Sequence, residues 1–163
     1  MILGNPKELA AHCAKGARLL GLDLGTKTIG LALSDTRLVI ATPLETIRRR
    51  GLADDLERLF ELIRSRGVGG LVIGLPLSLA GKESPRSQSV RQFARTLAGK
   101  IDLPIAFWDE RLSTLAVERE MIAADLSRRR RAEIVDRAAA AYILQGCLDF
   151  LAETPTAEER AEG

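Results

Sequence analysis

The chain has 163 residues with two cysteines, one histidine and a formal net charge of +2; 46% of it is hydrophobic and 28% charged. These values fit one globular domain with a real core and leave little material for a disulfide framework, a zinc site or a histidine-centred triad. The longest nearly apolar stretch, "GGLVIGLPLSLAG", contains a proline and is too short to span a bilayer. With no signal-peptide pattern at the start, the expected setting is reduced and cytoplasmic.

Residues 1–17 are expected to form an N-terminal extension with a helical turn or two around Pro6 to Ala14, His12 lying on its surface. Three strand-like runs follow, Arg18 to Leu24, Thr28 to Ser34 and Val39 to Ile47, and their short polar connections favour antiparallel neighbours. Leu52, Leu56, Leu59, Phe60 and Ile63 then form an amphipathic helical stripe, with Asp54 and Asp55 near its start and Gly67 as its stop. "GLVIGLP" is a fourth strand. Ser84 and Pro85 are the N-cap and first position of a second helix with Val90, Phe93, Ala94 and Leu97 facing inward. "LPIAFWDE" is the fifth strand, Ser113 can cap a helix through about Ala124, and "DLSRRRRAE" is a polar connection. A last helix runs from Ile134 to Leu151 with Cys147 as a buried small hydrophobe.

Three strands, then helix, strand, helix, strand and helices describe an α/β domain with a mixed five-stranded sheet and right-handed parallel crossovers. The domain is expected over 18–152, followed by a disordered acidic tail at 153–163. That tail holds four acids and one base, so residues 1–152 carry 23 basic and 18 acidic residues, a net +5. The balance is compatible with a polyanionic partner.

Three acids stand out. Asp23 ends an apolar strand in "LLGLDLGTKTIGLALSD"; Asp before Gly is also common where a strand simply turns. "FWDERLST" offers Asp109 and Glu110, which alternation sends to opposite faces, so that one can join a site while the other is solvated or pairs with Arg111. Asp136 lies near the start of the last helix, where the helix dipole alone would favour it by about 0.3–1 kcal/mol. The four alanines after it let that helix come close to the sheet and bring Asp136 near the strand tips. Carboxylates gathered there repel unless a cation neutralises them. Oxygen ligands without His or Cys suit Mg²⁺ or Mn²⁺, and two such ions support phosphodiester cleavage. The candidate substrate-binding residues are Lys27, Arg86, Arg111, Arg128, Arg129, Arg130 and Arg131. Aromatics make up only 4% of the chain, which favours recognition of shape and backbone over base stacking.

These stretches resemble the YqgF family, the Holliday-junction-resolvase-like proteins also described as pre-16S rRNA nucleases. The resemblance runs from about Arg18 to Leu151 through "LDLGTKTIGLALSD", "ATPLETI", "GLPLSLAGKESPRSQSVRQFA", "WDERLST" and "VDRAAAAYILQGCLD", in order. It implies an RNase H-like fold with strand order 3-2-1-4-5 and a nuclease site of Asp23, Glu110 and Asp136, which selects Glu110 from its pair. It also implies maturation of the 5′ end of 16S rRNA, alone or in a pre-ribosomal particle, with resolution of branched DNA as the alternative. Thr28 stands where the family usually has a basic residue, a departure expected to leave the acids unaffected. In the implied order the fifth strand lies about 9–10 Å from the first, so the two ions are expected to assemble with the substrate. The expected chain is a monomer or weak homodimer. "DLGTK" also resembles the phosphate loop of actin-like and sugar kinases, which close two such domains over a nucleotide where this chain has room for one. A non-catalytic RNA-binding assembly factor is the other rival.

Overall fold

The structure is a computed structural model and describes residues 1–112 and 128–153, with 128–134 described through their backbone alone. Five strands, β1 (Arg18–Leu24), β2 (Thr28–Ser34), β3 (Ala41–Arg48), β4 (Val68–Leu75) and β5 (Ile105–Asp109), form one sheet in the order β3-β2-β1-β4-β5. β1, β2 and β3 pair antiparallel, while β4 joins β1 and β5 joins β4 in parallel. This is the expected mixed sheet of an RNase H-like fold.

Alternation along the central strands sorts the core into two layers. Leu20, Leu22 and Leu24 of β1 and Leu71, Ile73 and Leu75 of β4 point to one face, where they meet α2 (Leu52–Ser65) and α3 (Pro85–Ala98). Leu19, Val72, Ala106 and Trp108 point to the other, where the long helix α4 (Arg128–Glu153) lies. α2 carries acids in its first turn and ends at Gly67, whose φ of 65° is one that glycine adopts without strain. α3 starts as the sequence predicts, with Pro85 at its first turn and a capping box between Ser84 and Ser87.

α4 approaches the sheet very closely. A Cβ on Gly21 would lie 2.8 Å from Leu144 Cβ and 3.0 Å from the Ala140 carbonyl oxygen. Glycine on the strand and alanine on the helix therefore bring backbone near backbone. Cys147 is enclosed in this layer, and burial pushes its thiol pKa up to about 12.

Several boundaries differ from the sequence expectation. Val39 and Ile40 precede β3 and are 56% and 60% exposed; Asp35 Oδ1 accepts hydrogen bonds from both their backbone N–H groups and holds them in the corner between strands. α4 begins at Arg128 rather than Ile134, so Arg128 to Arg131 occupy its first turns instead of a connection, in keeping with arginine's good helix propensity. Residues 1–17 contain the expected helical turns, a 3-10 turn at Pro6–Glu8 followed by α1 (Leu9–His12), and they also pack onto the domain. Leu3 and Leu9 are buried, Ile2 bridges Ile105, and Leu3 N–H donates to the Ile105 carbonyl at 2.8 Å. This segment covers the outer edge of β5, which would otherwise expose unpaired backbone groups. The helix expected from Ser113 to Ala124 and the tail after Glu153 lie outside the described residues. Among the described residues no helix is long and apolar enough to cross a membrane.

Candidate active site

β1 delivers Asp23 to the α4 face of the sheet. Gly21, two residues earlier, packs against α4, and the alternation of the strand puts Asp23 on the same side. The residue is only 3% exposed. Among the described residues no N–H or O–H donates to its buried Oδ1 oxygen, although Asp23 has other interactions.

Asp136 arrives through a glycine. Gly30 of β2 is the cross-strand partner of Asp23. A Cβ on Gly30 would fall 2.0 Å from the Asp136 carbonyl oxygen, so only glycine lets the start of α4 settle beside Asp23. Thr28, two residues before Gly30 and on the same face, donates its Oγ1 hydroxyl to Asp136 Oδ2 at 2.5 Å. The expectation that Thr28 leaves the acids unaffected is thus overturned. Its side chain fixes one oxygen of Asp136 and leaves the other to point elsewhere.

Glu110 reaches from the end of β5 over the tip of β4. Ala106 and Trp108 of β5 face α4, whereas Ile105 and Phe107 face the opposite layer. Asp109, the last residue of β5, follows Phe107 onto the opposite face, whereas Glu110 opens a short 3-10 turn (Glu110–Leu112) that turns its side chain back to the α4 face, beside Gly74 and Ile143. Between β5 and β1 stands the tip of β4, where Gly74 is one residue past the Leu22–Ile73 pair and therefore level with Asp23. Glu110 Oε1 lies 2.9 Å from where a Cβ on Gly74 would be. The carboxylate lies over β4 in the space that this glycine leaves open. Sequence reasoning missed Gly74; its signal was a glycine at the tip of an apolar strand flanked by two acid-bearing strands.

Asp109 is occupied differently. Arg111 clamps it, Nε donating to Oδ1 at 2.9 Å and Nη2 to Oδ2 at 2.5 Å. That guanidinium holds the Asp109 carboxyl below the ordinary aspartate range. The same arginine donates weakly to the Leu79 carbonyl, so its fork ties the loop after β4 to the end of β5.

The other candidate cations are dispersed. Lys27 is exposed in the β1–β2 turn, and Arg86 is exposed in the first turn of α3, on the opposite layer from the acids. Arg128 to Arg131 lie just ahead of Asp136 on α4. The turn after Asp23 is closed by Gly25 N–H donating to the Thr28 carbonyl, and Arg49 Nη1 donates to the Gly25 carbonyl, each at 2.8 Å. Arg49 was not among the sequence candidates.

An all-oxygen donor set at one end of the α4 face fits a hard divalent cation. Among the described residues no group of three His, Cys, Asp or Glu side chains closes to distances that would hold an ion by themselves. The protein supplies an arc of carboxylates rather than a closed cage.

Comparison with known proteins bears on what such an arc serves. Residues 17–150 match the family model RuvX, described as Holliday junction resolvase. The chain belongs to the RuvX (YqgF) family. A RuvX-family relative from Paramagnetospirillum magneticum, named "Putative pre-16S rRNA nuclease", is 60% identical over 88% of this chain and 93% of its own length. One of the same name from Roseobacter denitrificans is 56% identical over 91% of this chain and 93% of its own. In fold, this RuvX-family chain is similar to T. thermophilus RuvC in complex with a Holliday junction substrate. The TM-score is 0.55 at 13% identity, covering 85% of this chain and 98% of that one. The yeast mitochondrial Holliday junction resolvase Ydc2 gives 0.51 at 13% identity over 90% and 84%.

Proposed function

We propose that the protein is a metal-dependent endonuclease that cuts phosphodiester bonds of precursor 16S rRNA during maturation of its 5′ end, in the cytoplasm. The observation that carries this reading is the convergence of Asp23, Asp136 and Glu110 at one end of the sheet. Two glycines, Gly30 and Gly74, make it sterically possible. The names of the close relatives favour this substrate.

Asp23, Glu110 and Asp136 would hold Mg²⁺ or Mn²⁺, two ions completed by substrate oxygens, which when bound supply Lewis acidity and an activated water. The chain's own contribution is positional. Asp23 is fixed on the central strand, Thr28 orients Asp136, and the 3-10 turn at the end of β5 aims Glu110. Clustered carboxylates repel the polyanionic substrate as well as one another, so a backbone phosphate approaches this arc when cations share it. Lys27 at the turn and Arg128 to Arg131 before Asp136 offset that repulsion and attract the strand, while the Arg111 charge is largely taken up by Asp109. A pre-ribosomal particle is the natural carrier of such an RNA.

Resolution of branched DNA is the second reading, favoured by the description of the matching family model. Cleavage of a precursor 16S rRNA fragment and of a four-way DNA junction, with Mg²⁺, Mn²⁺ or chelator, separates the two. Metal-dependent cutting of the RNA that Asp23→Asn abolishes supports the proposal. Cutting of the junction alone transfers the activity to DNA. Binding without cutting of either substrate, unchanged by Asp23→Asn, leaves an RNA-binding assembly factor.

A further inference from the structure

A second concavity opens a few residues from Asp23, on the far side of the β1–β2 turn. It is a cleft of 330 Å³ between that turn and the first two turns of α3, walled by Gly25, Thr26, Arg49, Arg86, Ser89 and Phe93. No carboxylate lines it. The groove of 630 Å³ between β3 and α2 has five carboxylates along its walls against three arginines, Arg48, Arg50 and Arg58. The net negative walls of the larger groove favour a phosphate less than the smaller cleft does.

Arg49 is set in place before any ligand arrives. It donates to the Gly25 carbonyl, its Nε lies 3.5 Å from Oδ2 of the buried Asp55, and its guanidinium sits 5.7 Å from the centroid of the Phe93 ring. These contacts use only part of a five-donor fork. Arg86 on the opposite wall is exposed and, among the described residues, makes no hydrogen bond or ion pair. Arg91, one helical turn and a half further along α3, instead sits on Glu83. Thr26 and Ser89 add hydroxyl donors.

Because Gly25 is two residues beyond Asp23, the cleft begins within about 7 Å of the central acid along the backbone. We propose that this cleft seats a phosphate of the same nucleic-acid strand, flanking the one at the acids, so that the β1–β2 turn is the ridge over which the strand passes. The assignment rests on the nuclease reading. It adds that strand position is fixed by two arginines on the layer opposite to α4.

Arg86→Gln tests it beside Arg95→Gln, a control on the same helix whose side chain reaches Gln92 and lies outside the cleft. Binding of the precursor 16S rRNA fragment is measured across a salt series, with single-turnover cleavage in parallel. Arg86→Gln is expected to weaken binding about tenfold and to lower the slope of log affinity against log salt by about one unit. The unfolding midpoint stays at the wild-type value, so the loss is one of binding and not of fold. Equal affinity and slope in the two variants overturns the cleft. If wild type binds this RNA without cutting it and Arg86→Gln still loses affinity, the cleft stands and the nuclease reading falls. A wild-type chain that binds no RNA overturns both.

Discussion

Gly74→Ala isolates the reach of Glu110 from the stability of the fold. The added methyl would stand 2.5 Å from Ile143 Cδ1 and 2.9 Å from Glu110 Oε1. Both atoms end flexible side chains, so rotation can relieve the contacts without moving the backbone. Overpacking fully buried Ile143 costs about 1–3 kcal/mol, and for a chain of this size each kcal/mol lowers Tm by about 2–4 °C. Glu110 has no such latitude if it must meet Asp23 across β4. A displacement of about 1 Å at a reacting centre costs on the order of 10²-fold in rate. The variant should therefore melt a few degrees lower and cleave at least about 10²-fold more slowly in single turnover with saturating RNA. Gly146→Ala is the packing control, since its methyl would meet the Trp108 ring at 3.1–3.2 Å, away from the acids. It should alter stability and spare cleavage. Gly30→Ala should do worse than Gly74→Ala on both measures, because its methyl would meet backbone atoms of Asp136 at 2.0 and 2.3 Å and force α4 off the sheet. A Gly74→Ala protein that cuts within threefold of wild type would refute the crossing of Glu110 over β4.

The remaining predictions concern the surroundings of the acids and the fold. Thr28→Val removes the hydroxyl that orients Asp136 and should raise the Mn²⁺ concentration needed for half-maximal cleavage about 10–100-fold, whereas Thr28→Ser restores it; equal metal dependence in all three proteins would make Thr28 structural only. Calorimetric titration of Mn²⁺ into the free protein should show weak binding, and tight stoichiometric uptake would contradict assembly of the ions with substrate. Glu45, gripped by Arg58 through bonds of 2.6 and 2.8 Å, has its carboxyl pKa held below the ordinary value of 4.5. A lowered folded-state pKa contributes stability above the unfolded value and loses it as pH falls through the folded one. Resistance to urea should accordingly fall on acidification below pH 4.5, and Glu45→Gln should flatten that dependence; an unchanged slope would remove the pair from the stability of the protein.

The regular part of the fold is legible because local signals agree. β1 and β2 begin and end where polar turns interrupt apolar runs, and α3 starts at a Ser-Pro pair whose capping chemistry is local. The start of α4 is not, because four arginines satisfy both a solvated loop and a helix. Val39 and Ile40 carry strand-forming side chains, yet Asp35 captures their N–H groups and moves the strand start to Ala41. At the site, Asp23 and Asp136 can be picked out one by one. Choosing Glu110 over Asp109 needs the knowledge that Ala106 and Trp108 face α4, a tertiary fact. Gly74 and Thr28 act through partners 36 and 108 residues away along the chain, so no local pattern exposes them. Arg49 was passed over for the same reason, since its anchors at Gly25, Asp55 and Phe93 come from three separate elements.

The claim that Asp23, Glu110 and Asp136 form one site, with Asp109 outside it, is tested most directly by single-turnover cleavage of the precursor 16S rRNA fragment in Mn²⁺. Asp23→Asn, Glu110→Gln, Asp136→Asn and Asp109→Asn are compared with wild type, each checked for folding. The first three should each lose nearly all activity, and any two together should be no worse than one, because groups that act as a unit are not additive. Asp109→Asn should keep cutting. Activity retained in Glu110→Gln and lost in Asp109→Asn would contradict the assignment of faces on which the whole site is built.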